Sequence, residues 1–197
     1  MAELTEMLTG PIQVTAEKPD RILASIRKGD QEAFRELTVL YVDYAFSIAF
    51  RILGDEEDAR DAVQETFIAV WTNLKHYDPR KSFRNWLYRI LVNRCLDMLR
   101  KRKRQRLIRP DPEQWKKMKV FSSDNLESQL ENAELAGIIR LLTERLSPKQ
   151  KIVFILSELE GIPNGEIAEI TGMNPDTVKS NLNLARKKIR ELIEKKL

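Results

Sequence analysis

The sequence of 197 residues predicts an all-α protein of two small helical domains joined by a flexible linker, the second domain a helix-turn-helix. Apolar residues recur at helical spacing over long stretches, and glycine and proline are few, at 7 and 8. The helical pattern breaks at Pro110-Asp111-Pro112 and becomes polar around Trp115. We therefore expect a mobile tail over 1–19, a first domain over 20–108, a linker over 109–125 and a second domain over 126–197.

Local signals place the first two helices. Asp20 is expected to cap a short helix that runs to Lys28 and stops at Gly29. Asp30 is expected to cap a long helix that ends at Gly54. Aromatic and aliphatic residues recur along this second helix at helical spacing, so we interpret it mainly as core.

A third helix is expected to begin after the cap Asp55 and to carry a compact polar cluster of Asp58, Asp61, Gln64 and Glu65. Asp61 and Glu65 are four residues apart, so their like charges are neighbours that slightly weaken an isolated helix. A solvated face is one interpretation. A basic partner at this face would explain the repulsion, and the charge balance of about 11 acids against 6 bases over 20–65 agrees with a protein contact there.

The next stretch is strongly basic, with about 16 bases against 4 acids over 75–119. A loop from His76 to Ser82 leads into a helix that carries a polar stripe at Asn85, Arg89, Asn93 and Arg100 and ends in a basic block over 100–106. Aromatic residues beside cations suit unstacked single-stranded bases, and the stripe suits backbone phosphates. Core packing of Trp86 and a merely solvated basic block are the alternatives.

The second domain is expected to hold a helix over 126–146, a helix start at Ser147-Pro148, and two further helices separated by a short turn at Gly172. Asn174 is a good N-cap for the last helix, and Pro175 fits its first position. One face of that helix should be buried by Val178, Leu182, Ala185 and Ile189, which leaves Ser180, Asn183, Leu184 and Lys187 on the opposite face. A helix-turn-helix reads the DNA major groove with its second helix, whereas an ordinary helical hairpin is the alternative.

Several function classes have no support in the sequence. The single cysteine and single histidine exclude an intramolecular disulfide and a conventional zinc site, and no cofactor is expected. No phosphate-binding glycine loop, nucleophile elbow or catalytic triad is present, so we expect no enzyme activity. No secretory signal or membrane-spanning apolar run is found, which predicts a cytoplasmic protein without membrane insertion.

Three motifs in this order resemble the extracytoplasmic-function (ECF) group of bacterial sigma factors, in the sigma-70 family of RNA polymerase initiation factors. The first is Asp58-Ala59-Arg60-Asp61-Ala62-Val63-Gln64-Glu65-Thr66-Phe67, and the second is Ser82-Phe83-Arg84-Asn85-Trp86-Leu87-Tyr88-Arg89-Ile90 with Asn93. The third is Glu166-Ile167-Ala168-Glu169-Ile170 followed by Thr177-Val178-Lys179-Ser180. The resemblance covers roughly 20–192, apart from the linker.

The resemblance implies a factor that binds core RNA polymerase, directs it to promoters and assists their melting. It implies polymerase contacts by Asp58, Asp61, Gln64, Glu65, Phe67 and Trp71. It implies recognition of the minus-ten element by Tyr77, Arg80, Lys81, Ser82, Arg84, Asn85, Trp86, Arg89, Asn93 and Arg100. It implies recognition of the minus-thirty-five element by Thr177, Lys179, Ser180, Asn183, Leu184, Arg186 and Lys187. It also implies a role in stress response and an inhibitory anti-sigma partner, which the sequence does not identify.

The recognition helix departs from the family pattern, because many relatives carry arginines where this chain has Asn181 and Leu184. Promoter preference therefore does not carry over from the family. Two rival interpretations remain. A helix-turn-helix regulator unconnected with polymerase would need a sensor domain before Pro110, where only helices are expected. A nuclease would have to build its site from Asp58, Asp61 and Glu65.

Overall fold

The computed structural model describes residues 19–108, 142–143 and 145–194, and within these ranges the protein is helical without strands, as the sequence predicts. A 3₁₀ turn lies over Leu74–His76, and a π-helical segment over Ile155–Leu159. The seven α-helices described are α1 Asp20–Arg27, α2 Gln31–Leu53, α3 Glu56–Asn73, α4 Phe83–Ile108, α5 Pro148–Phe154, α6 Asn164–Thr171 and α7 Pro175–Glu194. We call residues 19–108 the first unit and residues 142–143 with 145–194 the second unit.

Most of the expected helix caps are present. The Asp30 carboxylate accepts from the backbone N–H groups of Glu32 and Ala33, at 3.0 and 3.1 Å. Ser147 and Gln150 form a reciprocal capping box at the start of α5. Asp20 differs from the expectation, because it lies inside the first turn of α1 and the N-cap position is occupied by Pro19. There Asp20 still favours the positive end of the helix.

The first unit packs α2, α3 and α4 against one another, with α1 against α2. Its centre is fully buried and apolar, and α4 supplies Leu87, Leu91 and Cys95 to it. Burial raises the pKa of the Cys95 thiol to about 12, so the thiolate that reacts with oxidants and electrophiles is strongly disfavoured.

The second unit contains the predicted helix-turn-helix. Helix α6 ends at Gly172, whose φ of 68° is the left-handed conformation expected there. Asn174 Oδ1 accepts from the backbone N–H of Asp176 at 2.9 Å and so caps α7. The four α7 residues expected to point inward, Val178, Leu182, Ala185 and Ile189, are all buried.

The two units are in contact, and buried side chains from both form one continuous apolar cluster. Helix α6 lies against α4, α5 also touches α4, and the π-helical segment touches α2. Of the remaining predictions, the linker over 109–125 lies outside the described residues, as do residues 1–18 of the tail expected over 1–19 and most of the helix expected over 126–146. None of the helices described is both long and apolar enough to cross a bilayer.

Candidate nucleic-acid interface

The polar cluster expected on α3 divides into exposed and engaged residues. Asp61 and Gln64 face solvent, and Asp61 makes no ion pair within the described ranges. Glu65 accepts from Arg94 of α4 at 2.6 Å, in a pair that is about half exposed. Asp58 accepts from Arg102 near the end of α4, and Arg102 also donates to the Leu53 carbonyl at 2.8 Å. Asp58 therefore ties α4 to the start of α3, whereas Asp61 is available to a partner.

An apolar groove runs between α2 and α3 beside this cluster. Phe67 is only 6% exposed and belongs to the core, while Trp71 is 40% exposed and packs its ring on Phe34 with the centroids 4.8 Å apart. Ile68 is 56% exposed on the same face and was not among the predicted contact residues. Its spacing of four residues after Gln64 and seven after Asp61 is the signal that could have identified it. Phe34, Phe46, Arg60, Val63, Gln64, Phe67, Ile68 and Trp71 line the groove.

The loop before α4 has a different character from the one expected. Tyr77 is 5% exposed, and its ring packs against Phe83 and Trp86, with centroids 5.5 and 5.2 Å away. Its hydroxyl donates to the Lys81 carbonyl at 2.6 Å. The aromatic ring therefore faces the core instead of offering a stacking surface to a base.

Two cations of the same loop do face solvent, Arg80 and Lys81. The Arg80 side chain donates to both carboxylate oxygens of Asp78, each at 3.0 Å. These hydrogen bonds lower the pKa of Asp78 to about 2 and fix the direction of the Arg80 guanidinium. The loop thus exposes two cations, of which Arg80 is held in one direction by Asp78.

The start of α4, with the first stripe residue Asn85, faces the second unit. Ser82 Oγ accepts from the Asn85 backbone N–H at 3.3 Å and so caps the helix, while Trp86 is half-buried. Arg84 donates to Glu166 at 2.6 Å, and the Asn85 amide donates to Glu169 at 3.2 Å. The Oδ1 atom of Asn85 is buried and has no hydrogen-bond partner among the described residues.

Farther along α4, the remaining stripe residues are exposed. Asn93 faces solvent, and Arg100 forms an ion pair with Asp97 at 3.2 Å, one turn away on the same helix. Arg89 is exposed, yet its guanidinium lies 3.7 Å from the point where a Cβ atom on Gly172 would sit. The stripe is thus contiguous, with its first half against α6 and its second half open.

Helix α7 presents its predicted reading face to solvent. Thr177, Lys179, Ser180, Asn183 and Lys187 are all exposed, and so is Leu184, at 49%. Arg186 donates to Glu158 at 2.7 Å. The exposed face thus offers an amide that can pair with adenine, an apolar group that can meet a thymine methyl, and ammonium groups for guanine or phosphate. Two neighbouring side chains are instead hydrogen-bonded within the second unit. Asn181 donates to the Thr177 carbonyl, and Arg186 donates to Glu158.

Two family models match the chain. The model for sigma-70 region 2 matches residues 39–105, which lie in the first unit. The model for sigma-70 region 4 matches residues 136–189, which include the helix-turn-helix. The order of the two matches is the order of the motifs along the sequence.

Whole-chain comparisons give the same family. The chain is 30% identical to the RNA polymerase sigma factor CnrH of Cupriavidus metallidurans, over 90% of this chain and 96% of that protein. It is 28% identical to the ECF RNA polymerase sigma factor SigW of Bacillus subtilis, over 86% of this chain and 93% of that protein.

Two solved structures share the fold. One is CnrH in complex with the cytosolic domain of CnrY, with a TM-score of 0.64 and 27% identity over 90% of this chain and 98% of that one. The other is the sigma factor RpoE with the anti-sigma factor NepR from Bartonella quintana, with a TM-score of 0.59 and 23% identity over 82% of this chain and 96% of that one. The chain belongs to the ECF sigma factors of the sigma-70 family, whose members are initiation factors of RNA polymerase.

Proposed function

We propose that this protein binds core RNA polymerase through α3 and directs it to promoters that α4 and α7 recognise at two separate elements. One observation carries the proposal: α4 and α7 each carry a stripe of polar and cationic side chains, and each helix lies in a segment that a sigma-70 family model matches. Such stripes suit phosphate and base contacts. Within this proposal the chain itself makes and breaks no covalent bond, and the polymerase carries out the chemistry.

The polymerase contact is assigned to the exposed face of α3 and the groove beside it. Exposed Asp61 and Gln64 would meet basic and polar groups, while Trp71 and the newly recognised Ile68 would supply apolar area. Phe67 supports this surface from beneath, because it is buried under the groove. Asp58 and Glu65 would contribute through their pairs with Arg102 and Arg94.

The minus-ten contact is assigned to the loop before α4 and to the α4 stripe. Extruding a base costs a few kcal/mol, and a protein selects sequence by trapping the extruded base. Arg89 and Asn93 are exposed side chains that suit this task, with Arg80 and Lys81 nearby for phosphates. Tyr77 would act by shaping the loop, since its ring is buried against Phe83.

The minus-thirty-five contact is assigned to α7. Asn183 would pair with adenine, Leu184 would meet a thymine methyl, and Lys187 would reach guanine or a phosphate. The exposure of Leu184 at the centre of an otherwise polar face supports this assignment, because core packing is already supplied by the four buried residues of the helix. We therefore propose an A/T-containing step in the upstream element.

An anti-sigma partner is part of the same proposal. RpoE was solved with an anti-sigma factor, and CnrH with the cytosolic domain of CnrY, and both share this fold. We assign the contact with such a partner to the exposed apolar groove between α2 and α3.

Reconstitution tests the proposed function directly. The full chain is added to core RNA polymerase with a library of promoters, and run-off transcripts are sequenced. We expect transcripts from a common pair of elements, and weak promoter binding by the chain without polymerase. Tight and specific promoter binding without polymerase, together with no transcripts when it is added, would instead indicate a helix-turn-helix regulator that acts alone.

A further inference from the structure

The loop that joins the 3₁₀ turn to α4, residues 77–82, is held by hydrogen bonds of its own, and we call it the minus-ten loop. The Lys81 backbone N–H donates to the Asp78 carbonyl at 3.0 Å, and the Arg80 backbone N–H donates to the Asp78 carboxylate, also at 3.0 Å. The Tyr77 hydroxyl donates to the Lys81 carbonyl at 2.6 Å. The Tyr77 side chain therefore spans the loop from its first residue nearly to its last.

A helix outside the minus-ten loop holds the first residue of the loop. Arg27, in the last turn of α1, donates from its guanidinium to the Tyr77 carbonyl at 2.7 Å, across 50 residues of sequence. Tyr77 has an extended backbone, with a φ of -70° and a ψ of 126°, so it continues neither the 3₁₀ turn before it nor α4 after it. A hydrogen bond from a charged donor is stronger than one between neutral groups. Arg27 thus ties the start of the minus-ten loop to α1.

Helix α1 gives this contact a firm support. Its residues Leu23 and Ile26 are 4% and 5% exposed, and the helix packs against α2. The position of Arg27 in the last turn also suits the negative end of the helix dipole. Burial raises the pKa of Tyr77, and the Asp20 carboxylate at the start of α1 raises it further. Charged side chains from both ends of α1 therefore act on the residue that begins the minus-ten loop.

The α1 residues are not among the contacts that the family resemblance implies, and the match to the sigma-70 region 2 model begins only at residue 39. We propose that Arg27 is a positioning residue for minus-ten recognition, which holds the minus-ten loop in the shape that receives an extruded base. A loop that samples several shapes binds a base only in the fraction that has the right one, so a contact that raises this fraction raises the apparent affinity. The inference deepens the proposed function and rests on it, because it concerns the same loop.

The first measurement is the rate of backbone hydrogen exchange in the full free chain, in peptides that cover 77–82. Arg27→Ala should speed the exchange of the loop amides about five-fold, because the opening that the Arg27 bond opposes becomes more frequent. Arg27→Lys should restore most of the protection, since an ammonium can donate to the same carbonyl. Arg21→Ala is the matched control, because it removes the same charge from the exposed start of the same helix. Peptides over 87–96, in the buried part of α4, should exchange as in the wild type in every variant, which separates local loosening from loss of the fold.

The second measurement concerns recognition itself. Each variant is combined with core RNA polymerase, and transcripts are selected from promoters randomised in both elements. Arg27→Ala should relax the base preference at the position that the minus-ten loop receives and lower the yield of open complexes about five-fold. The preference at the minus-thirty-five element, assigned to α7, should stay as in the wild type and is a control within the same molecule. The salt dependence should also stay as it is, because a positioning residue contacts no phosphate.

Loop exchange in Arg27→Ala that is no faster than in the wild type or in Arg21→Ala would overturn the proposal, because the loop would then keep its shape without this bond. Faster exchange with an unchanged base preference would also overturn it, since Arg27 would then serve stability alone. A flattened salt dependence in Arg27→Ala would show a phosphate contact in place of a positioning role.

Transcription by the wild-type chain separates this proposal from the proposed function. Transcripts from the wild type together with any of these three results would reject the positioning role and leave the proposed function standing. No transcripts from the wild type, whatever the exchange rates, would reject the proposed function and the role in recognition with it.

Discussion

Helices α4 and α7 are both assigned to promoter DNA, yet their reading faces are in different states. Arg84 and Asn85 of α4 are hydrogen-bonded to carboxylates of the second unit. Asn183 and Leu184 of α7 are exposed, and no hydrogen bond joins them to the described residues of the first unit. The difference teaches that the composition of a face identifies its ligand, while its neighbours decide whether the face is available.

The position of each helix in the fold explains the difference. Helix α4 buries residues such as Leu87 and Leu91 in the first unit and also receives α6 on its polar side. Helix α7 buries a single stripe and leaves the rest to solvent. A helix between two layers has less free surface than a helix at the edge, whatever its sequence.

The largest expected effect is on stability, and it tests whether the contact between units is energetically significant. Arg51→Ala should lower the free energy of unfolding by about 3 kcal/mol, because it leaves Glu160 buried without its cation. Urea unfolding measures this. Arg35→Ala is the matched control, since Arg35 is 78% exposed and its pair should contribute less than about 1 kcal/mol. Equal effects from the two changes would mean that the units are only loosely associated.

The next effect concerns the exposed residues of α3, which the described residues of the second unit leave open to solvent. Asp61→Ala with Glu65→Ala should weaken binding to core polymerase by about 2 kcal/mol, if the carboxylates meet basic groups in a desolvated interface. Folding should change little, because the Glu65–Arg94 pair is half exposed. Fluorescence titration with core enzyme measures the first quantity. Glu57→Ala, a change at the exposed start of the same helix, should leave the affinity as it is, and an undiminished affinity for the double variant would identify a merely solvated face.

The two exposed stripe residues Arg89 and Asn93 should matter for melting more than for initial binding. Arg89→Ala with Asn93→Ala should reduce open-complex formation about ten-fold, equivalent to about 1.4 kcal/mol, while closed-complex binding changes little. Permanganate footprints of the holoenzyme on a selected promoter report the melted bases. Footprints as strong as those of the wild type would contradict the assignment of these two residues.

The smallest expected effect distinguishes base contacts from phosphate contacts on α7. Leu184→Ala should cost about 1 kcal/mol at one A/T step and leave stability unchanged, because the side chain is 49% exposed. Lys187→Ala, if it contacts phosphate, should weaken all promoters alike and flatten the salt dependence. Selection from a randomised upstream element, with wild type and variants in parallel, makes the comparison. Identical preferences for wild type and Leu184→Ala would place a protein partner, not DNA, at that position.

Features governed by local chemistry could be predicted from the sequence. The buried stripe from Val178 to Ile189 follows from helical periodicity alone, and it is confirmed residue by residue. The caps Asp30 and Asn174 follow from short-range hydrogen bonding. The first helix begins one residue earlier than its expected cap Asp20 predicts, because the Pro19 carbonyl already accepts the first helical hydrogen bond, from Leu23.

Features that depend on distant residues could not be predicted. The Arg84–Glu166 contact joins residues 82 apart in sequence, and no periodic pattern encodes such a pair. The position of Tyr77 in a loop predicts a ring available to a base, but the ring packs against Phe83 and Trp86. In both cases a polar or aromatic residue that suits a ligand also suits a neighbour within the protein, and only the tertiary structure decides between them.

The π-helical segment over Ile155–Leu159 has an evolutionary consequence for the ion pair between Arg51 and Glu160. The Glu160 backbone N–H donates to the Ile155 carbonyl at 3.1 Å, five residues back, so the segment holds one residue more per turn than an α-helix. Deleting one residue there would return the segment to α-helical pitch and leave Glu160 facing Arg51, because the wide turn already holds the extra residue. The ion pair should thus survive the loss of a single codon in this segment, and urea unfolding of the chain with Ser157 deleted would show it as a smaller loss of stability than Arg51→Ala causes.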